Sequence, residues 1–514
     1  MVQHHHYDFD ITRDGPKFTD PDGDALSYTF SWELQPWQGV TLNGSHLVVE
    51  SATVGSFPIT MRVTDGTFAV FQSVVFEIVP NAVPTMAVPH ELVLVAPDNS
   101  VDLDVSRGNT HVVDADGDSL TYDVKVSPNV LGLAATGTHV SGTVSGVGAV
   151  RVSVTVSDPY GAKVSEQFNI AAPGPDPGRP VLPATRHVYD DLTVGLPGMY
   201  LEDLGKGVAL FYDTTPAVNP ITDAGATLGR VLFYDKRLSS TNTHSCGSCH
   251  EQQHGFANVD RFPMGAAGER GTRNAMAIVN ARFNIHNKYF GDQRTDTLEA
   301  LALQPIENQT ELANTVPNAL RKLREADFYP PLFQAAFGTP EISADRVAKA
   351  LAQFVRSLVS YRARVDEAYP GIRGIADPAF SPLLTAQENL GASLFISGTC
   401  GHCHTSMAFI GLDPRNNGLD EVPADPGAGN GEFRVASLRN IARTAPYMHD
   451  GRFATLREVI DHYDHGVKDS AHTSLRSGFR LNLTEEEKLA LEAFLLTFTD
   501  DAMLSDPKFS DPFH

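Results

Sequence analysis

The sequence predicts a multidomain chain, with two all-β sandwiches in tandem followed by a mostly α-helical region of two lobes. Three observations point there. Residues 1 to about 172 are rich in Val, Thr, Ser, Asp and Gly, their apolar residues alternate, and they contain an internal repeat. A Pro/Gly stretch, Ala171-Ala-Pro-Gly-Pro-Asp-Pro-Gly-Arg-Pro180, then interrupts the pattern. Beyond it the apolar period becomes helical, and one Cys/His pentapeptide occurs twice with helical sequence on both sides. At 514 residues the chain is too long for a single core. The expected divisions are 1–80 and 81–172 for the sandwiches, 173–185 for a linker, and 186–380 and 381–505 for the helical lobes.

In the first part, Phe57-Pro-Ile-Thr-Met-Arg-Val63 and Val152-Ser-Val-Thr-Val156 read as strands with one buried face. The repeat is explicit. Asp20-Pro-Asp-Gly-Asp24-Ala-Leu-Ser-Tyr28 returns as Asp114-Ala-Asp-Gly-Asp118-Ser-Leu-Thr-Tyr122, and Val63-Thr-Asp65-Gly66 returns as Val156-Ser-Asp158-Pro-Tyr-Gly161. Tandem sandwiches of immunoglobulin or cadherin type follow, similar to the dystroglycan-type modules of bacterial surface proteins. The first copy has little chain ahead of its Asp-rich turn, so an initial strand is expected to be missing. Clustered carboxylates around a glycine suit calcium, and they equally suit a plain Asp/Gly turn. Neither run has the downstream Glu of an EF-hand.

The linker is expected to be stiff and solvated. After it, Thr385-x-x-Glu388, Thr455-x-x-Glu458 and Thr484-x-x-Glu487 are capping boxes, each opening an apolar-periodic stretch. Leu491, Phe494, Leu495 and Phe498 share one helical face, and Val347, Leu351, Phe354, Val355 and Leu358 share another.

The net charge of −23 argues against a nucleic-acid partner and favours a cationic one where charge steers binding; it also serves solubility. No apolar run is long enough to span a bilayer as a helix. The histidines of Met1-Val-Gln-His-His-His6 read as an accident or a tag remnant rather than a metal site.

The pentapeptides are Cys246-Gly-Ser-Cys249-His250 and Cys400-Gly-His-Cys403-His404, and they use all 4 cysteines of the chain. Cys-x-x-Cys-His is the attachment signature of c-type haem, in which two thiols bond the macrocycle and the adjacent histidine ligates iron. A zinc site would need four ligands to converge from pairs far apart in sequence. A disulfide inside either pentapeptide would close a short, strained loop. Two covalent c-type haems are therefore expected, with His250 and His404 as iron ligands. Covalent attachment takes place outside the cytoplasm, so a periplasmic or extracytoplasmic protein is expected. The start of this sequence has no apolar signal segment, so the signal peptide is expected to be missing from it.

What fills the other side of each haem decides function: a strong ligand makes an electron carrier, and an open side admits a small oxidant. On the stretch from Thr455, Leu456, Val459, Ile460 and Tyr463 share a face, with His462 and His465 off it. Tyr463, Met448 and His449 are the competing candidates near the second haem.

Several segments carry a family resemblance. Asn219-Pro-x-Thr-x-Ala-Gly-x-x-Leu-Gly-Arg-x-Leu-Phe-Tyr-Asp235 leads through Leu238-Ser into the first pentapeptide. Arg273-Asn274-Ala275, Pro305-Ile-Glu-Asn308 with Glu311-Leu312, Leu438-Arg-Asn440 and Thr444-Ala-Pro-Tyr-Met-His-Asp-Gly451 follow in order. Over about 190–500 the chain resembles the bacterial di-haem cytochrome c peroxidase/MauG family. The resemblance implies that Tyr463 is the sixth ligand of the second haem, where family peroxidases place methionine and MauG-like members place tyrosine. It implies that Glu311 is the distal acid/base at the first haem, with Glu307 the competing candidate by position. It also implies one calcium between the haems, held by the Asn274 side chain and the carbonyls of Thr444 and Pro446.

Three positions depart from the family. The loop histidine that closes the first haem in family peroxidases falls on Ala266, leaving His254 and His286 as the remaining candidate blockers. The inter-haem tryptophan falls on Gly291, and the only tryptophans are Trp32 and Trp37, so electrons need another route, for which Tyr289 and Phe290 are candidates. A distal-pocket glutamine appears as Leu301.

The leading expectation is a peroxidase reducing hydrogen peroxide at the His250 haem. Its electrons would come through the His404/Tyr463 haem from a small cytochrome c or copper protein. The alternatives are a MauG-like oxidase of a protein substrate, and a surface electron carrier whose sandwiches do the binding. Family peroxidases often dimerise, which makes a dimer one expected assembly.

Overall fold

The computed structural model describes residues 1–14, 17–32, 39–50, 53–189, 213–284, 286–369, 380–397, 400–404, 406, 408–411 and 413–513; Trp37 and the Trp32 side chain lie outside that description. The first 172 residues are mostly strand and the remainder is helical.

Alternation sets the burial in the β region. In the first β unit Gly55–Thr64 is the middle strand of a sheet with Ser27–Trp32 and Ala69–Ile78. Its Phe57, Ile59, Met61 and Val63 all face one core. Leu47 and Val49, from a second sheet of Tyr7–Asp10, His46–Val49 and Val40–Asn43, close that core. In the second unit Gly148–Ser157 lies between Thr121–Ser127 and Lys163–Ala172, with Val93–Leu94 added in parallel. Val150, Val152, Val154 and Val156 meet Leu133 and Val140 in a separate core.

The two Asp-rich turns share their local design. Gly23 and Gly117 hold φ of 84° and 81°, which glycine adopts without penalty. Asp20 Oδ1 accepts the amides of Asp22 and Asp24, and Asp114 Oδ1 accepts those of Asp116 and Asp118. Only the second turn gathers other acids: oxygens of Asp114, Asp118 and Asp158 lie within 4.8 Å of one another. His5 reaches across to Asp118 at 3.0 Å.

The linker is mostly exposed, as expected of a solvated segment, and it also bonds to the helical region at a few points. Gly174 N–H donates to Thr241 O at 2.7 Å, Arg237 donates to Gly178 O, and Val181 N–H donates to Pro512 O. Unpaired backbone polar groups are costly near a protein surface that excludes water, and these bonds satisfy them. The second β unit also docks directly on the helical region. Ala149 and Ala171 pack against Ala266, Ala267 and Ala313. Asn169 donates to Ala313 O at 2.9 Å, and Arg151 pairs with Glu269 at 2.7 Å.

The helical region is one arrangement written twice. Helix α1 (Asp223–Tyr234) packs on α3 (Ala344–Ser357), and α4 (Ala386–Ser397) packs on α6 (Glu485–Leu496). At both crossings a glycine permits backbone contact. A Cβ on Gly229 would lie 2.0 Å from Ala350 O, and one on Gly391 would lie 2.0 Å from Ala490 O. Asn280 and Asn440, both with φ of 60°, donate their amides to Leu358 O and Phe498 O. Helices α2 (Leu298–Glu307) and α5 (Leu456–Asp461) begin at N-caps Thr297 and Thr455. All three capping boxes form, at Thr385, Thr455 and Thr484. The end of the chain crosses back from the second half: Met503 and Phe509 join the first core, and Tyr189 and Tyr234 donate to Lys508 O and Phe509 O. A boundary at 505 therefore separates the sequence but not the packing.

Candidate active site

All four cysteines are unpaired. Burial pushes the thiols of Cys246 and Cys400 up to about 12 and that of Cys249 up to about 11. Burial thus holds these three as uncharged thiols. His250 and His404 are buried, and burial lowers both pKa values, keeping the rings neutral. Their orientation has one cause in both halves. His250 Nδ1 lies 2.9 Å from Phe256 O, and His404 Nδ1 lies 2.9 Å from Phe409 O. A carbonyl can only accept, so Nδ1 carries the proton and Nε2 keeps its lone pair for a metal. Phe256 and Phe409 hold φ of 59° and 54°, a left-handed conformation that non-glycine residues adopt only when the surroundings impose it.

One cavity of about 1070 Å³ connects both sites. Its wall includes Cys249, His250 and Glu311 in the first half and Cys400, Cys403, His404 and Tyr463 in the second. A cavity for one drug-sized ligand is about 300–1,000 Å³; this one is larger, is lined by apolar side chains, and has a haem attachment set at each site. The donor set fits two c-type haems.

Glu311 sits on the wall beside His250. Burial raises its pKa above the ordinary value; Arg294 and the hydrogen bond from Asn308 (2.7 Å) only partly offset this. The loop reaches Glu311 by a bond from Ala266 N–H to Glu311 O (2.7 Å). Glu307 is exposed on α2, with its carboxylate toward Val316 N, and it is not part of the cavity wall. Ala266 is buried. His254 and His286 are both partly exposed and absent from the wall. Leu301 packs beside Tyr289 and Ala352, away from the cavity.

In the second half the chain leaves α5 for a single π turn, His462–Gly466. That turn delivers Tyr463 to the wall near His404. It also buries His462, which the helical spacing put off the buried face; its Nε2 lies 3.0 Å from Asn417 O. Burial pushes the Tyr463 phenol up to about 12. Asn417 Nδ2 sits between two of the candidate ligands, 3.4 Å from the Tyr463 oxygen and 3.2 Å from Met448 Sδ. His449, the third, instead stacks on Phe433 with ring centroids 3.9 Å apart.

Between the two sites the wall carries Phe290, Gly291, Phe433 and His449. Gly291 faces Phe433, 3.6 Å from where its Cβ would be, and accepts from Arg434 N–H at 2.7 Å. Tyr289 is buried off the wall. Asn274, Thr444 and Pro446 share the wall. Asn274 spends its Nδ2 on Asp260 O (3.0 Å), so its amide oxygen is the donor left for a hard cation. The Phe433–His449 stack, Asn417 and Arg294 had no sequence signal, because each acts through partners remote in the chain.

Known proteins resemble this chain over its helical region. A family model described as di-haem cytochrome c peroxidase matches residues 223–373. The chain is 30% identical over 284 residues to the methylamine utilization protein MauG of Methylophilus methylotrophus, covering 53% of this chain and 82% of that protein. It is 30% identical over 297 residues to cytochrome c551 peroxidase of Nitrosomonas europaea, covering 55% of this chain and 83% of that one. The crystal structure of a MauG-like protein associated with microbial copper homeostasis superposes with a TM-score of 0.51 at 34% identity, over 58% of this chain and 96% of that one.

Proposed function

The chain belongs to the di-haem cytochrome c peroxidase/MauG family and is an oxidoreductase acting on peroxide; from that premise we propose that it reduces hydrogen peroxide in the His250 pocket with Glu311 as acid/base. The observation that carries this reading is a buried carboxylate of raised pKa on the same wall as His250. A haem bound through Cys246, Cys249 and His250 would supply the iron that peroxide binds and the electrons that split it.

The protein's own residues manage the protons. Glu311 takes one from peroxide and returns it to the departing oxygen, so that two electrons and two further protons leave two waters. Asn308 orients the carboxylate, and Arg294 limits how far burial neutralises it. The apolar wall keeps bulk water from competing for the proton. His404 and Tyr463 would hold the second haem, as the point where electrons enter. A small cytochrome or copper protein would donate them. Phe433 and His449 would occupy the path in place of the family tryptophan.

We assign calcium to Asn274 with the Thr444 and Pro446 carbonyls, and a further calcium to the Asp114/Asp118/Asp158 turn. The β units are read as two cadherin-like sandwiches, the helical region as two haem lobes, and the location as extracytoplasmic because haem is attached covalently there.

Ferric optical and EPR spectra, before and after one equivalent of peroxide, test this. A high-spin haem that reacts at once supports it. Two low-spin haems indifferent to peroxide would make the protein an electron carrier. Tyr463 specifically favours a second reading, a MauG-like oxidation of a partner protein. In that case the peroxide-oxidised state would persist alone and collapse only when the partner is added.

A further inference from the structure

We propose that the second β unit holds a divalent metal ion of zinc type on His90, His111 and Glu166. The three residues come from separate places: His90 precedes the strand Val93–Leu94, His111 precedes Val112–Val113, and Glu166 lies on Lys163–Ala172. Their side chains are 3%, 0% and 8% exposed. Their donor atoms all fall within 4.8 Å of one another, and the two imidazole centroids are 4.3 Å apart.

The surroundings are arranged as they are around a metal. His111 Nδ1 lies 2.8 Å from Val88 O, which can only accept, so the proton sits on Nδ1. In the neutral ring Nε2 is then a lone pair, and it lies 2.8 Å from Glu166 Oε1, another acceptor, with no hydrogen-bond partner. Glu166 Oε2 accepts the His90 amide at 3.0 Å, which fixes the carboxylate with Oε1 toward the rings. His90 Nδ1 meets that same Oε1. Phe168 stacks on the far face of His90, centroids 4.6 Å apart, and walls the site.

A buried imidazole nitrogen and a carboxylate oxygen held face to face must share a proton or a metal cation, and a second imidazole turned to the same oxygen makes this a site that a metal can take. Two imidazoles and one carboxylate form a recognised zinc donor set and leave one position for water. A zinc shell separates its ligands by about 3.3 Å, given bonds of about 2.0–2.1 Å, so Glu166 Oε1 would move away from both imidazoles as the ion enters, from its 2.8 Å contact with His111 Nε2. The set is not a property of the repeat, because Lys17 stands three residues before the first Asp-rich turn where His111 precedes the second. The ion would tie the short Thr85–Met86/Val112–Val113 pairing to the four-stranded sheet.

The test uses the full chain with both haems, with His4, His5 and His6 changed to Ser in every sample so that the histidine run contributes nothing. Protein stripped with EDTA is equilibrated with Zn²⁺, desalted, and assayed for zinc per haem. The parent should retain one zinc more than His111→Gln, and zinc K-edge absorption should show two imidazoles in the first shell. Equal zinc in parent and variant would overturn the site, as would a first shell without imidazole. Should His111→Gln fail to fold, Glu166→Gln and the zinc-dependent melting of the parent decide: a rise supports the site, and no rise removes it.

Discussion

The two halves of the helical region share their packing and their handling of the ligating histidine, yet they differ on the opposite side of the cavity. In both, a glycine lets two helices touch, and a left-handed phenylalanine carbonyl sets the Nδ1 proton of His250 or His404. The distal helices also start alike, at Thr297 and Thr455. Eight residues on, the first half has Pro305 and the second has Tyr463. Proline offers no ligand, and the first half instead brings Glu311 from the following loop. A π turn in the second half brings a phenol. The shared scaffold thus fixes how iron would be held, and a few distal residues decide whether that iron reacts or relays.

The sharpest way to break this contrast is at Glu311. Glu311→Gln should lower peroxide turnover by about 10²–10⁴-fold, the usual worth of a general acid/base, with haem content unchanged; unaltered turnover would remove Glu311 from the chemistry.

Ion pairs tie the distal helix to its neighbour in both halves, Arg356 to Glu299 in the first and Lys488 to Asp461 in the second, and the second pair also reaches the π turn. Lys488 binds Asp461 and Asp464, each at 2.7 Å, and those acids bracket the π turn. Burial pushes Asp464 up, but Lys488 and the Leu483 amide more than reverse this and hold it at about 2. Because the folded value is depressed, that stabilisation is present above the unfolded pKa near 4 and is lost as pH falls toward 2. Lys488→Met should cost about 3 kcal/mol by removing the lysine from two carboxylates, leaving Asp464 only the Leu483 amide and His465. It should disturb the spectrum of the second haem before that of the first, in thermal melts followed at each haem.

Tyr463→Met would make the second half resemble the family peroxidases. The potential of the haem at His404 should rise, because a neutral thioether replaces an anionic oxygen. A redox titration showing no rise would mean that Tyr463 is not a ligand.

The mildest effect concerns pH. Glu311 must be ionised to accept a proton and its pKa is raised, so kcat/KM should fall on acidification at a higher pH than an ordinary glutamate would give. The residual activity of Glu311→Gln should lack that limb.

Local signals were legible in the sequence. The pentapeptides, the capping boxes and the alternation at Phe57–Val63 each depend on residues a few positions apart, and the structure shows all of them. Tyr463 was legible as a buried position by helical spacing, although the π turn that delivers it was not. Three features stayed invisible for one reason. The Phe433–His449 stack, the docking of Asn169 on Ala313 and the His90/His111/Glu166 cluster join residues 16 to 144 positions apart. Periodicity reports that a face is buried but not what covers it.

The alanine contact between the second β unit and the loop ahead of Glu311 bears on how this protein can be dissected. Ala149 and Ala171 touch Ala266, Ala267 and Ala313 with no long side chain to take up slack, and Asn169 holds the backbone two residues from Glu311. Cutting the chain at the linker to obtain the helical part alone would bare an apolar patch and strand the Ala313 carbonyl and the Glu269 carboxylate. Kinetics on such a fragment would report a rebuilt distal loop, so the β units belong in any preparation used to measure turnover.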